Sequence, residues 1–333
     1  VVISQSSAKE NVEQLKKEFP EDPIGITGCR SSGEPHPTCE YNYLIVHQGA
    51  TRIERRISKN NFIELLFLDK NTVQNASDNK IMLALVDMNV ISDPRWDLIP
   101  IVHKIKANRS KHLQQYAKNV LFKSLSHLGR SKDSIDRANT LEAGFWLLCS
   151  ANSFARATIA LGNKVPHDTH LLNEFRSEII KKPGMFDIWS DASGVNLATK
   201  VSVARRLEAF REILQVGRIF SYSLIFNDHI NAYKFTEATS NYLVKSHAIL
   251  DAHCYLGLEI TKAIEELYEF KCRINDKPPL FHEMFSQLTV NSKPLKKISR
   301  QTILLMGINS EKQKIKKYNA SLKHLIQKFV KAI

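Results

Sequence analysis

A glycine-containing loop between two apolar segments constrains the fold of this chain more than any other stretch. The apolar residues 24–27 lead into Gly28, a polar loop follows, and a second apolar run carries polar side chains at alternate positions, beginning with Glu40 and Asn42. Side chains at positions i and i+2 of a strand point to the same side, so we expect Glu40 and Asn42 to lie together and face the loop. Oxygen-bearing side chains placed in this way are suitable ligands for a phosphate-bound metal.

This stretch resembles the nucleotidyltransferase superfamily of DNA polymerase beta and the minimal nucleotidyltransferases. The family motif is Gly-Ser, a short spacer, and then acid-apolar-acid-apolar. Gly28 and Cys29 stand at the Gly-Ser positions, and residues 40–43 (Glu-Tyr-Asn-Tyr) stand at the metal-binding positions. The resemblance also implies a third carboxylate on a later strand, for which Glu64 is the preferred candidate and Asp87 the alternative.

The resemblance implies a magnesium-dependent transfer of a nucleoside monophosphate from a nucleoside triphosphate to a hydroxyl group. Glu40, Asn42 and Glu64 would be both the catalytic and the metal-binding residues. The loop would cradle the triphosphate through Gly28, Cys29, Arg30, Ser31, Ser32 and Gly33. Two positions depart from the family pattern, because Cys29 replaces a serine and Asn42 replaces an acid. An amide oxygen can still bind a metal, but it brings no negative charge, so we expect impaired or lost transfer with nucleotide binding retained.

Patterns along the first part of the chain predict an α+β domain at residues 1–96, with a small mixed sheet and flanking helices. A helix is predicted at 7–19, where the apolar residues Val12, Leu15 and Phe19 share one face. Strands are predicted at 24–28, 41–48, 51–58 and 62–68, with a hairpin turn at Gly49. Helical segments at 71–76 and 81–87 and a turn at Asp93-Pro94 complete the domain.

Helical periodicity dominates from residue 97 onward. It predicts an all-α bundle at 97–292, with helices at about 97–128, 134–162, 169–181, 196–226, 228–247, 248–272 and 280–289, and a helical tail in which the predicted helix is 295–331. The segment 141–180 is similar to HEPN-type helical domains. Some of these cleave RNA with an Arg and a following His four to six residues on, and only Arg30 and His36 have that spacing here. Ribonuclease activity is therefore disfavoured, and His167 and His170 are interpreted as residues that flank a helix end.

Positive charge is concentrated in the C-terminal tail, residues 293–333. The tail carries eleven Lys or Arg residues and one acid, Glu311, so it accounts for +10 of the net charge of +13. One face of its predicted helix is apolar. The tail is either a packed helix with a solvated basic face or a contact surface for nucleic acid or another acidic partner. A third possibility is an interaction scaffold, with the helical domain serving a homo-oligomer.

The remaining features argue against several other classes. Five cysteines without a C-x-x-C motif are typical of reduced thiols in a cytoplasmic protein. Cys29, His36 and Cys39 could be metal ligands but lack a fourth. His229, His247 and His253 follow no H-E-x-x-H pattern and are interpreted as helix-surface or core residues. No segment is long and apolar enough to span a membrane, and we expect no signal peptide.

Overall fold

The computed structural model describes residues 5–32, 35–49, 51–58, 61–75, 79–180, 182, 184–220, 228–274, 306–308 and 310–331. The chain divides into two compact units. The first comprises residues 1–116 together with 163–167, and the second comprises 117–162 together with 168–333.

The first unit alternates short helices and strands. Its elements in chain order are α1 (Gln5–Glu18), β1 (Ile24–Thr27), α2 (Cys29–Ser32), β2 (Tyr41–Val46), β3 (Arg52–Ser58), β4 (Asn61–Leu68), α3 (Lys70–Gln74), α4 (Asn79–Val86), β5 (Asn89–Ser92), α5 (Ile99–Ala107) and the start of α6 (Arg109–Asp136). The five strands form one sheet in the order β3-β4-β2-β1-β5. Strands β2 and β4 are parallel and every other pair is antiparallel, which confirms the predicted mixed sheet.

The core of this unit forms between α1 and one face of the sheet. Tyr41, Tyr43 and Ile45 of β2 are buried in one cluster with Leu15 of α1, and Val12 and Phe19 pack against it. These are the alternate residues of a strand and the apolar stripe of an amphipathic helix. The predicted packing face of α1 is confirmed. Asn42, which alternates with these core residues, therefore points to the opposite face of the sheet.

Two predictions about the sheet are wrong or incomplete. Gly49 does lie at a change of direction and has φ +133°, but β2 and β3 do not form a hairpin because β4 lies between them. Strand β5 was not predicted, because its residues, Asn89 to Ser92, show no alternation of apolar and polar positions and follow a segment predicted as helical. The predicted turn after it is confirmed. The Asp93 carboxylate accepts hydrogen bonds from the backbone N–H groups of residues 97, 98 and 99 and so leads into α5.

The second unit is all helical in its described part. Its elements are most of α6, then α7 (Thr140–Leu161), α8 (Leu171–Ile179), α9 (Met185–Ser193), α10 (Lys200–Phe220), α11 (His229–Lys245), α12 (Ile249–Ile274) and α13 (Lys312–Lys331), with short 3-10 turns at Asp168–His170 and Val195–Leu197. Helix α7 is buried around most of its circumference and packs against α8, α9, α12 and α13. A helix that is apolar all round is typical of a bundle centre, and the large all-α region is confirmed.

Helix boundaries differ from the prediction in three places, one of which is that α6 continues through Gly129 to Asp136, where one helix was predicted to end at 128 and the next to begin at 134. The segment predicted as one helix at 97–128 is two helices that meet at Asn108, which caps the end of α5. Helix α9 was not predicted, because no helix was assigned between the predicted helices 169–181 and 196–226. Gly184 and Gly194, both with positive φ, bound this nine-residue helix. The predicted helix 280–289 and residues 295–305 of the tail lie outside the described residues. None of the described helices is long and apolar enough to cross a lipid bilayer.

Candidate functional site

The strand register places four polar side chains in one row across the sheet. Asn42 of β2 is the partner of Glu64 in β4, and Thr27 of β1 is the partner of Asn42. Arg55 of β3 is in turn the partner of Glu64. Cross-strand partners point to the same side of a sheet, so the row runs Thr27, Asn42, Glu64, Arg55 on one face. Asn42 and Glu64, two of the three residues proposed from sequence as metal ligands, are therefore immediate neighbours.

Arg55 contributes a positive charge that the sequence analysis missed. Its Nε donates to Oε2 of Glu64 at 3.0 Å, and its side chain is only 12% exposed. A charge-assisted hydrogen bond of this kind occupies one lone pair of the carboxylate and offsets its charge. The signal was present in the sequence: only Lys59 and Asn60 separate β3 from β4. A two-residue connection fixes hairpin pairing and places position 55 opposite position 64.

Gly28 closes the row at its β1 end. Its φ is +75°, and an added Cβ would lie 2.8 Å from Nδ2 of Asn42. Both the left-handed backbone and the close approach of the amide require glycine at this position. The predicted convergence of the Gly28 turn with Asn42 is present in the structure.

The loop after Gly28 forms the short helix α2, and its polar side chains bond within the loop. The Arg30 guanidinium donates to the carbonyl oxygen of Cys39 from Nε at 2.9 Å and from Nη2 at 2.7 Å. Its Cζ lies 3.9 Å from the centre of the Tyr41 ring. Ser31 Oγ donates to the Gly28 carbonyl at 2.7 Å, and Ser32 Oγ donates to that of Cys29 at 3.1 Å. The donors proposed for phosphate contact are thus engaged in holding the loop. Gly33 lies outside the described residues.

Cys29, at the position of the family serine, is buried. A hydrogen bond with the Cys39 thiol, and then burial, raise the pKa of Cys29 above its ordinary value, and the nearby charge of Glu40 adds to the effect. Cys29 is therefore a protonated thiol at neutral pH, which is a weaker hydrogen-bond donor than a serine hydroxyl. The backbone N–H of His36 donates to Sγ of Cys39 at 3.2 Å. Among the described residues, the His36 ring does not join both cysteines in a group with metal-ligand spacing.

The two remaining acidic candidates differ in their positions. Glu40 lies immediately before β2 and is half-buried, and the strand register begins only after it, at Tyr41. Asp87 lies after α4, outside the strands, and its carboxylate pairs with the guanidinium of Arg109. Glu64 is therefore the acid that lies in the sheet beside Asn42, and Asp87 is held in a separate ion pair.

The donor set does not fit a two-ion magnesium site. Magnesium prefers several carboxylate and phosphate oxygens around it, and a pair of divalent ions needs several negative charges. Glu40 and Glu64 carry two such charges, Asn42 carries none, and Arg55 bonds directly to Glu64. A single ion could be held by Glu40 and the amide oxygen of Asn42, but it would compete with Arg55 for Glu64.

The basic tail presents its lysines to solvent. The buried side of α13 consists of Ile315, Asn319, Leu322 and Ile326, and this helix packs against α7 and α9. Asn319 also donates to the carbonyl of Leu128 at 3.1 Å. The exposed lysines of the helix are Lys312, Lys314, Lys316, Lys317, Lys323, Lys328 and Lys331. The described part of the tail is therefore a packed helix with a basic outer face.

The three histidines set aside in the sequence analysis lie in or beside helices of the second unit. His229 begins α11, and His247 follows that helix with φ +62°. His253 is 1% exposed, and its Nδ1 lies 3.0 Å from Oγ of Ser202. Burial and the nearby Arg206 charge lower the pKa of His253 to about 2. His253 is therefore a neutral core residue, as its sequence context indicated.

Comparison with known proteins adds one distant likeness. No protein-family model matches the chain, and no curated protein matches it. Among solved structures, the chain is similar to a nucleotidyltransferase-like protein from Exiguobacterium sibiricum 255-15, with 11% sequence identity and a TM-score of 0.31. The similarity covers 86% of this chain and 88% of that chain. A likeness with so low a TM-score supports neither a fold assignment nor an activity.

Proposed function

We propose that the first unit is a degenerate nucleotidyltransferase site that binds a nucleoside triphosphate and transfers its nucleoside monophosphate poorly or not at all. The observation that supports this most strongly is the parallel register of β2 and β4, which sets Asn42 directly beside Glu64. The Gly28 turn, which the proposed triphosphate cradle requires, lies against the same amide. Three separated parts of one motif thus meet at one point of the sheet.

The expected loss of nucleoside monophosphate transfer follows from the reduced negative charge of the metal-binding residues. Phosphoryl-group transfer depends on metal ions that neutralise the triphosphate and activate the attacking hydroxyl. Substitution of an acid by Asn42 removes one negative charge, and Arg55 offsets a second by its bond to Glu64. The remaining charge attracts divalent ions weakly, whereas a triphosphate is repelled less than it would be by three free carboxylates. Binding without efficient chemistry is the expected result.

The residues would have distinct roles in nucleotide binding. Glu40 and Asn42 would orient an ion carried in by the triphosphate, while Arg55 could shift from Glu64 toward a phosphate oxygen. Arg30 holds the Cys39 carbonyl, so it would shape the loop rather than clamp the phosphates. We expect the contact to the phosphates to come mainly from backbone N–H groups beside Gly28, the usual donors of a glycine-containing loop.

Calorimetric titration with ATP and Mg²⁺ or Mn²⁺ tests this function. Wild-type protein should bind ATP saturably, and Glu40→Ala should weaken binding in the presence of the metal. Glu13→Ala, which removes one acid from the exposed side of α1, is the matched control and should behave as wild type. A parallel assay with labelled ATP should show little or no transfer to hydroxyl acceptors. Absence of binding heat in wild type would refute the nucleotide site, and rapid transfer would refute its degeneracy.

A second candidate function is nucleic-acid contact through the outer face of α13. The observation that favours it is that the apolar side of the helix is already packed, which leaves its seven lysines in solvent. Cationic side chains displace counterions from a phosphate backbone, so the affinity should fall steeply as salt rises. Lys316→Glu with Lys323→Glu should weaken binding of a labelled RNA or DNA and flatten its salt dependence. Equal binding by wild type and variant would exclude this face.

A further inference from the structure

A cavity of about 510 Å³ lies in the second unit between α6, α7 and α12. This volume falls in the range of small-molecule sites, roughly 300–1,000 Å³. Its walls combine aromatic rings with groups of both charge signs, and neither the basic tail nor the sheet contributes to it. The charged groups decide what such a cavity can bind.

Arg130 of α6 is held in place by two aromatic rings. Its Cζ lies 4.7 Å from the ring centre of Trp146 and 4.9 Å from that of Tyr268. Cation–π contacts of this kind attract the guanidinium to the rings without using its N–H groups. Arg130 is exposed, and within the described residues its guanidinium makes no ion pair and no hydrogen bond. Its donors are therefore available to an oxyanion.

The charges beside Arg130 are satisfied within the wall, with one exception. Glu265 accepts from Lys123 Nζ at 2.9 Å and from His127 Nε2 at 3.0 Å. Burial would raise the pKa of Glu265, but the bond from His127 and the charge of Lys123 outweigh it and lower that pKa to about 2. Glu269, one turn further along α12, also lines the cavity. In the described part of the chain it pairs with no cation, Arg130 included.

His127 lines the cavity and is 3% exposed. Its Nδ1 has no hydrogen-bond partner among the described residues, but the atom is shielded from solvent, so a molecule in the cavity does not reach it. The His127 ring therefore forms part of the wall, with Nε2 bonded to Glu265. Phe122 at the same cavity is 62% exposed, so its ring offers apolar surface that a ligand in the cavity can cover.

We propose that this cavity binds a small zwitterion with an apolar body, of the amino-acid type. Its carboxylate would pair with Arg130, its ammonium group would pair with Glu269, and its apolar part would cover Phe122. The lining holds two cations, Lys123 and Arg130, and two carboxylates, Glu265 and Glu269, so it favours neither a pure anion nor a pure cation. A ligand that carries both charges matches Arg130 and Glu269, the two exposed charged groups of the lining that make no ion pair with another described residue.

Calorimetry with the full chain and a series of related probes tests the proposal. L-Phenylalanine and L-leucine carry both charges and an apolar body. 3-Phenylpropanoate lacks the amine, and phenethylamine lacks the carboxylate. We expect saturable binding of at least one zwitterion, with each truncated probe binding about tenfold or more weakly, since each loses a charged pair.

Variants separate the two ends of the ligand. Arg130→Gln should bind the zwitterion about as weakly as wild type binds phenethylamine, and Glu269→Gln about as weakly as wild type binds 3-phenylpropanoate. Lys132→Gln removes a charge from the exposed face of the same helix, where the lysine pairs with Asp136, and should leave affinity unchanged. Circular dichroism should confirm that all variants fold. Failure of both zwitterions to bind at about 10 mM, tenfold above a weak Kd of about 1 mM, would overturn the proposal. Equal binding of 3-phenylpropanoate and L-phenylalanine would also overturn it.

Discussion

Replacement of Arg55 by methionine tests the central claim about the sheet site. In the wild type, the Arg55 guanidinium donates to the Glu64 carboxylate at 3.0 Å, and the two side chains are 12% and 31% exposed. Methionine keeps the length of the aliphatic stem and removes the charge and the donors. Glu64 is then free to bind a divalent ion beside Asn42. We therefore expect Arg55→Met to bind Mn²⁺ more tightly than wild type does.

The size of the gain in Mn²⁺ affinity follows from the hydrogen bond between Arg55 and Glu64, which the metal no longer has to displace in the variant. Hydrogen bonds to charged groups contribute roughly 1.5–3 kcal/mol, and the partial exposure of Glu64 lowers this value by solvent screening to about 1–2 kcal/mol. A difference of about 1.4 kcal/mol is tenfold in affinity. The expected gain in Mn²⁺ affinity is therefore roughly five- to thirtyfold.

Electron paramagnetic resonance of free Mn²⁺ measures this affinity directly. Arg56→Met is the matched control, because it removes the same charge from the next residue of β3, where Arg56 pairs with Glu18 and Glu54. Consecutive strand residues point to opposite faces, so this control should change Mn²⁺ affinity little. If both variants gain equally, the effect is one of net charge, and the proposed competition between Arg55 and the metal is wrong. No gain in Arg55→Met would exclude Glu64 as a latent ligand.

Four further predictions concern stability. His253, with its pKa lowered to about 2 by burial and a nearby cation, stays neutral in the fold while the unfolded chain protonates near pH 6.5. The free energy of unfolding that the neutral imidazole contributes above that pH is therefore lost as the pH falls. In urea denaturation, the wild type should lose about 2 kcal/mol more of its free energy of unfolding between pH 7 and pH 5 than His253→Gln does. Equal losses in the two proteins would contradict the lowered pKa. Gly129→Ala, at an open helical position, should stabilise by about 0.5–1 kcal/mol. Gly257→Ala should instead destabilise the fold by about 1–2 kcal/mol. Its Cβ would lie 2.6 Å from Nη1 of the buried Arg206 and disturb the hydrogen bond that this atom donates to the His253 carbonyl. A change of the same sign in the thermal stability of both glycine variants would contradict this. Gly28→Ala, at φ +75°, should cost about 1 kcal/mol or more in the same assay, and no loss would argue against a strained turn there.

Sequence patterns predicted much of the first unit because they record local physical requirements. Alternation predicted which side chains of β2 share a face, and the amphipathic stripe of α1 predicted its contact with the sheet. The partnership of Asn42 with Glu64 was predicted only through the family resemblance, since strand pairing is not a local property. The pairing of Arg55 with Glu64 is encoded locally by the two-residue connection between β3 and β4. The predicted hairpin at Gly49 paired β3 with β2 instead, because the sequence does not show that β4 lies between them.

The sequence by itself determined the chemistry available to this protein: a glycine turn, a depleted set of oxygen ligands, a thiol in place of a hydroxyl, and a lysine-rich tail. Only the tertiary structure decided which of these groups meet. Because β4 lies between β2 and β3, Glu64 is the neighbour of both Asn42 and Arg55. The packing of α6, α7 and α12 forms a cavity that no sequence motif predicts. The physical reason is that residue type fixes the charge and donors of a side chain locally, whereas its partner is set by contacts between segments far apart in the chain.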